Sequence, residues 1–347
     1  MSSLLARHAD LVASAGQLRA RDAAQRLGVT EAALVACGAT GPATPLRPDW
    51  TSLIGALPRA GRVMALTRND HAVHERHGSY LDVSSGPGHI LVLGPDIDLR
   101  LFPGRWAHAY AMGGERPSIQ IFDRDGVAAH KVFATGETDR DGWDAILREF
   151  TLAVAPSPPE TQTPPEAGAD TGAEREVDGA ALRQAWLGLR DTHDFFPMLR
   201  KHRATRRQAF RLAGEDLALP LHPQAAADAF GLAAANEVPI MVFVGNRAAI
   251  QIHTGPVRRL RPTPGWFNVL DPDFNLHLRE AGVASAWRIV KPTEDGAVTS
   301  IELLDAGGET IALLFGVRKP GKPELSDWRD VVSDVASRHA LATEGAA

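Results

Sequence analysis

The sequence predicts an α+β fold made by tandem duplication. Each half would consist of helices, then a large antiparallel meander sheet, then a C-terminal helix. Three observations carry this: a proline-rich acidic stretch near the middle of the chain, an ordered internal repeat on either side of it, and short alternating apolar runs with no helical pattern between them.

Residues 155–180 (APSPPETQTPPEAGADTGAEREVDGA) hold five prolines, six acidic groups and one basic group. Almost nothing there can be buried, so the stretch reads as an acidic, Pro-rich linker. It leaves residues 1–154 and 181–347 as two halves of domain size. Its excess of acid matches the formal net charge of −5, so the remainder is close to neutral. A generic nucleic-acid binder carries a basic excess, and this balance argues against that class.

The halves repeat each other at an offset of 177, later 182. Met64 answers Met241, Asn69 answers Asn246 and Gly78 answers Gly255; LGPDIDLRL at 93–101 lies over LDPDFNLHL at 270–278. SIQIFDRDGVAAHKVF at 118–133 lies over SIELLDAGGETIALLF at 300–315, and Trp143 in DGWDAILREF answers Trp328 in SDWRDVVSDV. The register shifts fall in turn-like stretches, where insertions cost little.

Each copy opens on helical patterns, at 2–36 and 181–235, and continues in runs such as RVMALT, HILVLG, DLRLF and IQIF, punctuated by Gly, Pro, Asn and Asp. Strands so spaced predict a meander rather than βαβ units. The segment RARDAAQRLGVTEAALVA at 19–36 has the look of a helix-turn-helix; its flanks lack the basic density DNA requires, and it reads as a structural helical pair.

Hydrophobic residues make up 44% and charged residues 23% of the 347, the balance of a folded globular protein. No run of 18 uncharged apolar residues is present, so membrane insertion is not expected. The N-terminus lacks a basic region followed by an apolar one, and the expected location is the cytoplasm. Cys37, the single cysteine, excludes an intramolecular disulfide; in ALVACGA it reads as a packed thiol.

The most unusual stretch is ALRQAWLGLRDTHDFFPMLRKHRATRRQAFR at 181–211. Leu182, Trp186, Leu189, His193 and Phe196 recur at helical spacing, which places His193 on an apolar stripe. Pro197 should end one helix and begin another, leaving His193 in the last turn before the break. An imidazole there fits a packed core residue or a ligand, the core residue being the commoner case. Arg200, Lys201, Arg203, Arg206, Arg207 and Arg211 follow at once. Such a charge run is usually a solvated face. An imidazole backed by Trp and Phe with guanidinium groups nearby also suits haem, which has a broad apolar face, an iron that takes imidazole and two carboxylates.

Here the sequence resembles the hemin-degrading factor family, the HemS/HmuS-like haem proteins. The resemblance rests on VMALTRND (63–70), LGPDIDLRLF (93–102), DTHDFFPMLRKH (191–202), IMVFVGNR (240–247), GWFNVLDPDFNLHL (265–278) and AWRIVKPTEDGAVTSIEL (286–303), and spans nearly the whole chain apart from the linker. It implies a duplicated fold of stacked antiparallel sheets flanked by helices. It also implies haem b held between the two halves, with His193 as axial ligand of the iron and Arg100, from the N-terminal half, on the other haem face. Arg206, Lys291 and Arg318 would lie near the propionates. Some members carry Tyr where Phe315 stands here, and Phe has no hydroxyl to donate to the haem edge from that position.

Read from its own strand, Arg100 shares a face with Asp98 and Phe102, opposite Ile97, Leu99 and Leu101, and points to solvent or to a cleft. Its repeat equivalent is His277. Other constellations are weaker. His71, His74 and His77 fall at spacing three, but in a strand-and-turn context where that spacing does not converge on a metal. Asp96 with Asp98, and Asp271 with Asp273, read as turn residues rather than acid–base pairs. No GxGxxG, Walker or GxSxG motif occurs.

The expected function is therefore haem binding and trafficking after uptake, for iron acquisition. The alternatives are a haem oxygenase-like degrading enzyme using the same site, with Arg100 as its catalytic group, and a DNA-binding regulator using 19–36. The partners implied are haem, a haem-uptake transporter, and a haem oxygenase or other acceptor.

Overall fold

A computed structural model describes residues 3–152, 176–318 and 321–342. Residues 155–175 of the expected linker lie outside the described residues. The chain divides into two compact units. Of the described residues, the first holds 3–68, 74–152 and 245–251, and the second 69–73, 176–244, 252–318 and 321–342.

The first half runs through three short helices, α1 (Leu4–Ala15), α2 (Ala20–Leu27) and α3 (Glu31–Ala36), then β1 (Ala43–Pro45) and α4 (Trp50–Ala56). Eight strands follow: β2 (Gly61–Arg68), β3 (Ala72–Gly78), β4 (Val83–Gly86), β5 (His89–Leu93), β6 (Asp98–Leu101), β7 (Trp106–Met112), β8 (Ser118–Asp123) and β9 (Ala128–Thr138). Helix α5 (Arg140–Phe150) closes it. Short polar side chains start these helices by accepting backbone N–H groups the first turn leaves unpaired: Thr30 for α3, Asp49 for α4, Asp139 for α5. Gly28, at φ 67°, takes the left-handed conformation that ends α2.

The second half repeats this order. Helices α6 (Gly179–Leu187), α7 (Phe195–His202) and α8 (Arg206–Ala213) precede β10 (Ala218–Leu221) and α9 (Ala225–Ala235). Strands β11 (Ile240–Gly245), β12 (Ala249–Gly255), β13 (Trp266–Leu270), β14 (Phe274–Arg279), β15 (Ser285–Lys291), β16 (Val298–Leu304) and β17 (Thr310–Gly316) lead to α10 (Ser326–His339).

Strand order shows the duplication directly. The first unit contains the run β1-β7-β8-β9-β2-β3 and the second β10-β15-β16-β17-β11-β12, the same order copy for copy. The β5–β6 hairpin corresponds to β13–β14, as the match of 93–101 with 270–278 requires. The two repeat asparagines have matching jobs. Asn69 accepts from the N–H groups of His71 and Ala72 and donates to the Ile311 carbonyl. Asn246 accepts from Ala248 and Ala249 and donates to Ala129, the repeat equivalent of Ile311.

Helices cover both faces of each six-stranded run. In the first unit, α4 and α5 bury Leu53, Ile54, Trp143, Ile146 and Phe150 against Val63, Ile121 and Val132, while α3 places Ala32 and Val35 against Tyr110, Met112 and Phe122. In the second unit, α9 and α10 bury Phe230, Trp328 and Val331 against Ile301, Leu303 and Leu314. The other face, with Trp287, Ile289 and Leu304, receives Leu182 and Trp186 of α6, Phe195 of α7 and Phe210 of α8. Each large apolar side chain buried this way contributes about 1.5–3 kcal/mol, so this layer holds its helices firmly to the sheet.

Candidate functional site

Helix α6 stops at Gly188, and a single 3-10 turn, Thr192–Asp194, joins it to α7. Asp191 caps that turn by accepting the His193 N–H at 2.8 Å, while Asp194 accepts the Asp191 N–H at 3.2 Å. The same Asp191 oxygen lies 2.6 Å from His193 Nδ1. One face of the ring is thereby fixed, and Nε2 points away from its holder. A carboxylate on one imidazole nitrogen orients the ring and makes the other nitrogen a better metal ligand. The His193 side chain is 91% exposed, so that nitrogen is open to a ligand.

The Asp191 carboxyl is held below the usual range, first by the His193 backbone N–H, with the His193 side chain and the Arg318 charge adding to it. Arg318 is half-buried, and its Nη1 has no hydrogen-bond partner among the described residues. An orphaned, buried guanidinium nitrogen beside the histidine mount is a donor awaiting an acceptor.

This setting corrects one expectation. His193 does not lie on a buried stripe in the last turn of a helix. Leu182, Trp186 and Leu189 are buried as expected, but the stripe passes to Phe195, and Phe196 is 61% exposed. The chain leaves the helix after Leu187 and re-enters it at a new phase, so spacing counted across the break carries no facing information. Pro197 sits inside the first turn of α7, where its missing N–H removes no hydrogen bond, rather than before the helix.

Beside the histidine mount, Arg206 and Lys291 meet on one carboxylate. Arg206 opens α8, where Thr205 and Gln208 form a reciprocal cap, and its Nη1 donates to Glu302. Lys291 ends β15 and donates to the other Glu302 oxygen at 2.6 Å; Ser300 donates to that same oxygen at 3.1 Å. Burial alone would raise the Glu302 carboxyl, but the Lys291 and Arg206 charges hold it down to about 2. Lys291 stands 4.6 Å and Arg206 5.3 Å from the centre of the Phe195 ring, which α7 places two residues after His193. Such cation–ring contacts are favourable. Phe315 has no hydroxyl to offer, yet its ring centre lies 5.7 Å from Lys291 Nζ, so it walls the same seat.

Arg100 belongs to the first unit. It lies on β6 with Ile97, Leu99 and Leu101 buried on the opposite face, and it is half-exposed, as the alternation predicts. It pairs with Asp98 on the same strand. Burial raises the Asp98 carboxyl, and Arg100 opposes that shift. The repeat position on β14 is His277, whose Nδ1 lies 2.7 Å from Asn268 Oδ1 on the neighbouring strand.

Thus the structure brings Arg206 together with Lys291, and Arg318 together with His193 through Asp191, all within the second unit. Sequence reasoning missed Asp191, Phe195 and Glu302. Asp191 had a local signal, an Asp-x-x-Asp box around the histidine; Glu302 had none. The weaker constellations are structural: His74 is buried on β3, Asp96 takes the Arg76 guanidinium, Asp271 accepts from the Arg258 and Arg259 N–H groups, and the Cys37 thiol donates to Leu34. Helices α2 and α3 pack on each other through Ala23, Ala24, Val29 and Leu34.

The fold and these residues define a duplicated α+β protein that presents a carboxylate-mounted histidine beside a buried cluster of cations. A family model described as the haemin-degrading HemS.ChuX domain matches twice, at residues 28–150 and 203–335, one match in each half. The chain belongs to the HemS family. It is 38% identical to the hemin transport protein HemS of Yersinia enterocolitica over 330 residues, covering 93% of this chain and 94% of that one. Among solved structures it is similar to apo-PhuS, a haem-binding protein of Pseudomonas aeruginosa, with 47% identity, a TM-score of 0.91, and coverage of 97% of this chain and 99% of that chain. It is also similar to ChuS, described as an E. coli haem oxygenase, with 36% identity, a TM-score of 0.85, and coverage of 95% and 98%. No described helix is long and apolar enough to cross a membrane.

Proposed function

We propose that this protein binds haem b through His193 and carries it in the cytoplasm after uptake, for iron acquisition, receiving it from a haem-uptake transporter and passing it to an oxygenase or other acceptor. The observation that carries this reading is the exposed imidazole of His193, with Nδ1 held at 2.6 Å by Asp191 and Nε2 free. The donor set fits the group: an imidazole nitrogen for iron, the exposed Phe196 three residues on for the apolar ring, and Arg206, Lys291 and Arg318 for the two carboxylates. Bound haem would supply the iron chemistry; the protein's residues bind it and orient it. Arg100 is the distal group that the family resemblance implies.

A second reading, a haem-degrading enzyme using the same site, is favoured by the similarity to ChuS. Against it stands the chemistry of Arg100. Guanidinium is a permanent cation that can stabilise an anion but cannot take up and return a proton near neutral pH. Phe315 offers no proton either. These are poor tools for repeated turnover and good ones for reversible holding.

The two readings separate in one experiment. Haem is titrated anaerobically into the wild type and His193→Ala, then oxygen and a reductase are admitted with catalase present. We expect a Soret shift in the wild type and its loss in His193→Ala, with catalase suppressing most ring loss. An unaltered spectrum in His193→Ala would overturn the ligand assignment. Catalase-insensitive conversion over many turnovers would make the protein an oxygenase.

A further inference from the structure

We infer that Glu302 is a positioning residue of the carboxylate seat. It fixes Arg206 and Lys291 as their resident counter-charge, and its own negative charge weakens their hold on an incoming carboxylate, so that the ligand can be released. This rests on the haem reading above.

Glu302 lies on β16 with 0% of its side chain exposed, and both its oxygens are engaged by cations. Lys291 is 5% and Arg206 22% exposed, so the cluster opens outward on the Arg206 side. Ion clusters this deeply buried are often no more stable than apolar residues of similar volume, which leaves stability alone a weak reason for one here. The cluster is anchored: both cations lie over the Phe195 ring, and that ring stands edge-on to Trp186 at 4.6 Å. Two cations share one anion, so one positive charge remains for a ligand.

The consequences differ with and without ligand. Without one, Glu302 keeps two buried cations from repelling each other. With a carboxylate on the outer side of Arg206, Glu302 is a like charge close behind it, and like charges oppose each other strongly in a poorly solvated site. The first copy of the repeat carries the neutral version of this position: Gln120 answers Glu302 and donates to Ser118, whereas in the second copy Ser300, the equivalent of Ser118, donates to Glu302.

The test uses the full chain, the isosteric variant Glu302→Gln, and two probes, haem and haem dimethyl ester, which lacks the two anionic charges. Dissociation constants come from Soret titration, and thermal midpoints are read with and without each probe. The wild type should prefer haem to the ester. Glu302→Gln should have a lower midpoint without ligand, should bind haem about tenfold tighter, the worth of one charge-assisted hydrogen bond, and should bind the ester unchanged. Haem should raise its midpoint by more than the ester does. If haem and ester weaken together in Glu302→Gln, the residue is only a structural support and the inference is overturned. A wild-type preference for haem that the variant leaves unaltered overturns it as well. Equal binding of haem and ester by the wild type itself would overturn both this inference and the assignment of these cations to carboxylates, and that failure is visible without any variant. Should Glu302→Gln not fold, Glu302→Asp keeps the charge but withdraws it by one methylene; a gain for haem of the same sign and smaller size is expected, and no gain overturns the inference.

Discussion

Helices α3 and α8 occupy matching places in the two copies and begin alike, each capped by a threonine, Thr30 or Thr205. The next residue differs in sign. In the first unit it is Glu31, and its partner in the sheet is Lys131 on β9, at 2.5 Å. In the second it is Arg206, and its partner in the sheet is Glu302 on β16, with Lys291 of β15 as a second cation on the same carboxylate. Glu31 accepts from Lys131, with the Arg68 and Arg21 charges also acting on it, whereas Glu302 accepts directly from two cations. The two contacts use strands that are not repeat equivalents, β9 in the first unit and β16 in the second, so each copy built its own, and in the second both helix and sheet place a cation directly on the acid. One histidine from each unit shows a further contrast. His130 of the first is fully buried between Thr67 and Tyr80, at 2.9 and 2.6 Å, and burial pushes it down to about 3. His193 of the second is exposed and held by a carboxylate. Both ring nitrogens of His130 are thus engaged by neighbours, whereas His193 leaves one nitrogen available.

The sharpest break in this comparison comes from the two lysines. Lys131→Met removes the hydrogen-bonded partner of the buried Glu31 and should cost about 3 kcal/mol, as loss of one member of a buried pair does. Lys291→Met leaves Glu302 bonded to Arg206 and should cost less, about 1.5–2 kcal/mol, the lower end for a hydrogen bond to a charged group. Urea unfolding of the two variants measures the difference; equal costs would mean that Arg206 does not share the carboxylate.

Acid should separate the copies next. His130 is neutral when folded down to about pH 3, but free in the unfolded chain it takes a proton below about 6.5. The unfolded state therefore binds more protons between those values, and stability falls as pH drops through that window, by about 2 kcal/mol at pH 5. Glu302 works in a lower window. Its carboxyl is depressed from 4.5 to about 2, so its contribution is intact above 4.5 and is lost between 4.5 and 2. Hydrogen exchange at pH 5 should show the first unit losing protection while the second keeps it, and Thr67→Val with His130→Phe should flatten the first unit's response. An equal response of both units at pH 5 would assign the acid sensitivity elsewhere.

The smallest effect concerns the exposed histidine. Asp191→Asn keeps a cap for the turn but removes the charge behind His193, and the loss of such a carboxylate partner costs a metal-ligating histidine about tenfold in affinity. Soret titration should show that loss with little change in unfolding midpoint. A fall in the midpoint without a change in haem affinity would make Asp191 a helix cap alone.

The chain's own order of residues determined the duplication, the meander sheets, the closing helices around Trp143 and Trp328, and the outward face of Arg100 on β6. These follow from local periodicity and from side chains compared in order along the two halves, and both are properties of a linear string. The histidine mount was half legible. Asp191 and Asp194 cap within three residues, a local signal, but the helical phase counted from Leu182 to Phe196 failed because the chain leaves the helix between them. Only the tertiary structure decided which charges meet. Arg206 and Glu302 are 96 residues apart, and Lys291, which pairs with Val298 rather than with Glu302, reaches that carboxylate by extending along the neighbouring strand. Nothing in the alternation of Thr299–Ser300–Ile301–Glu302 distinguishes a buried carboxylate from a solvated one. That distinction exists only once α7 and α8 cover the sheet face, exclude water, and bring two cations within reach of the acid.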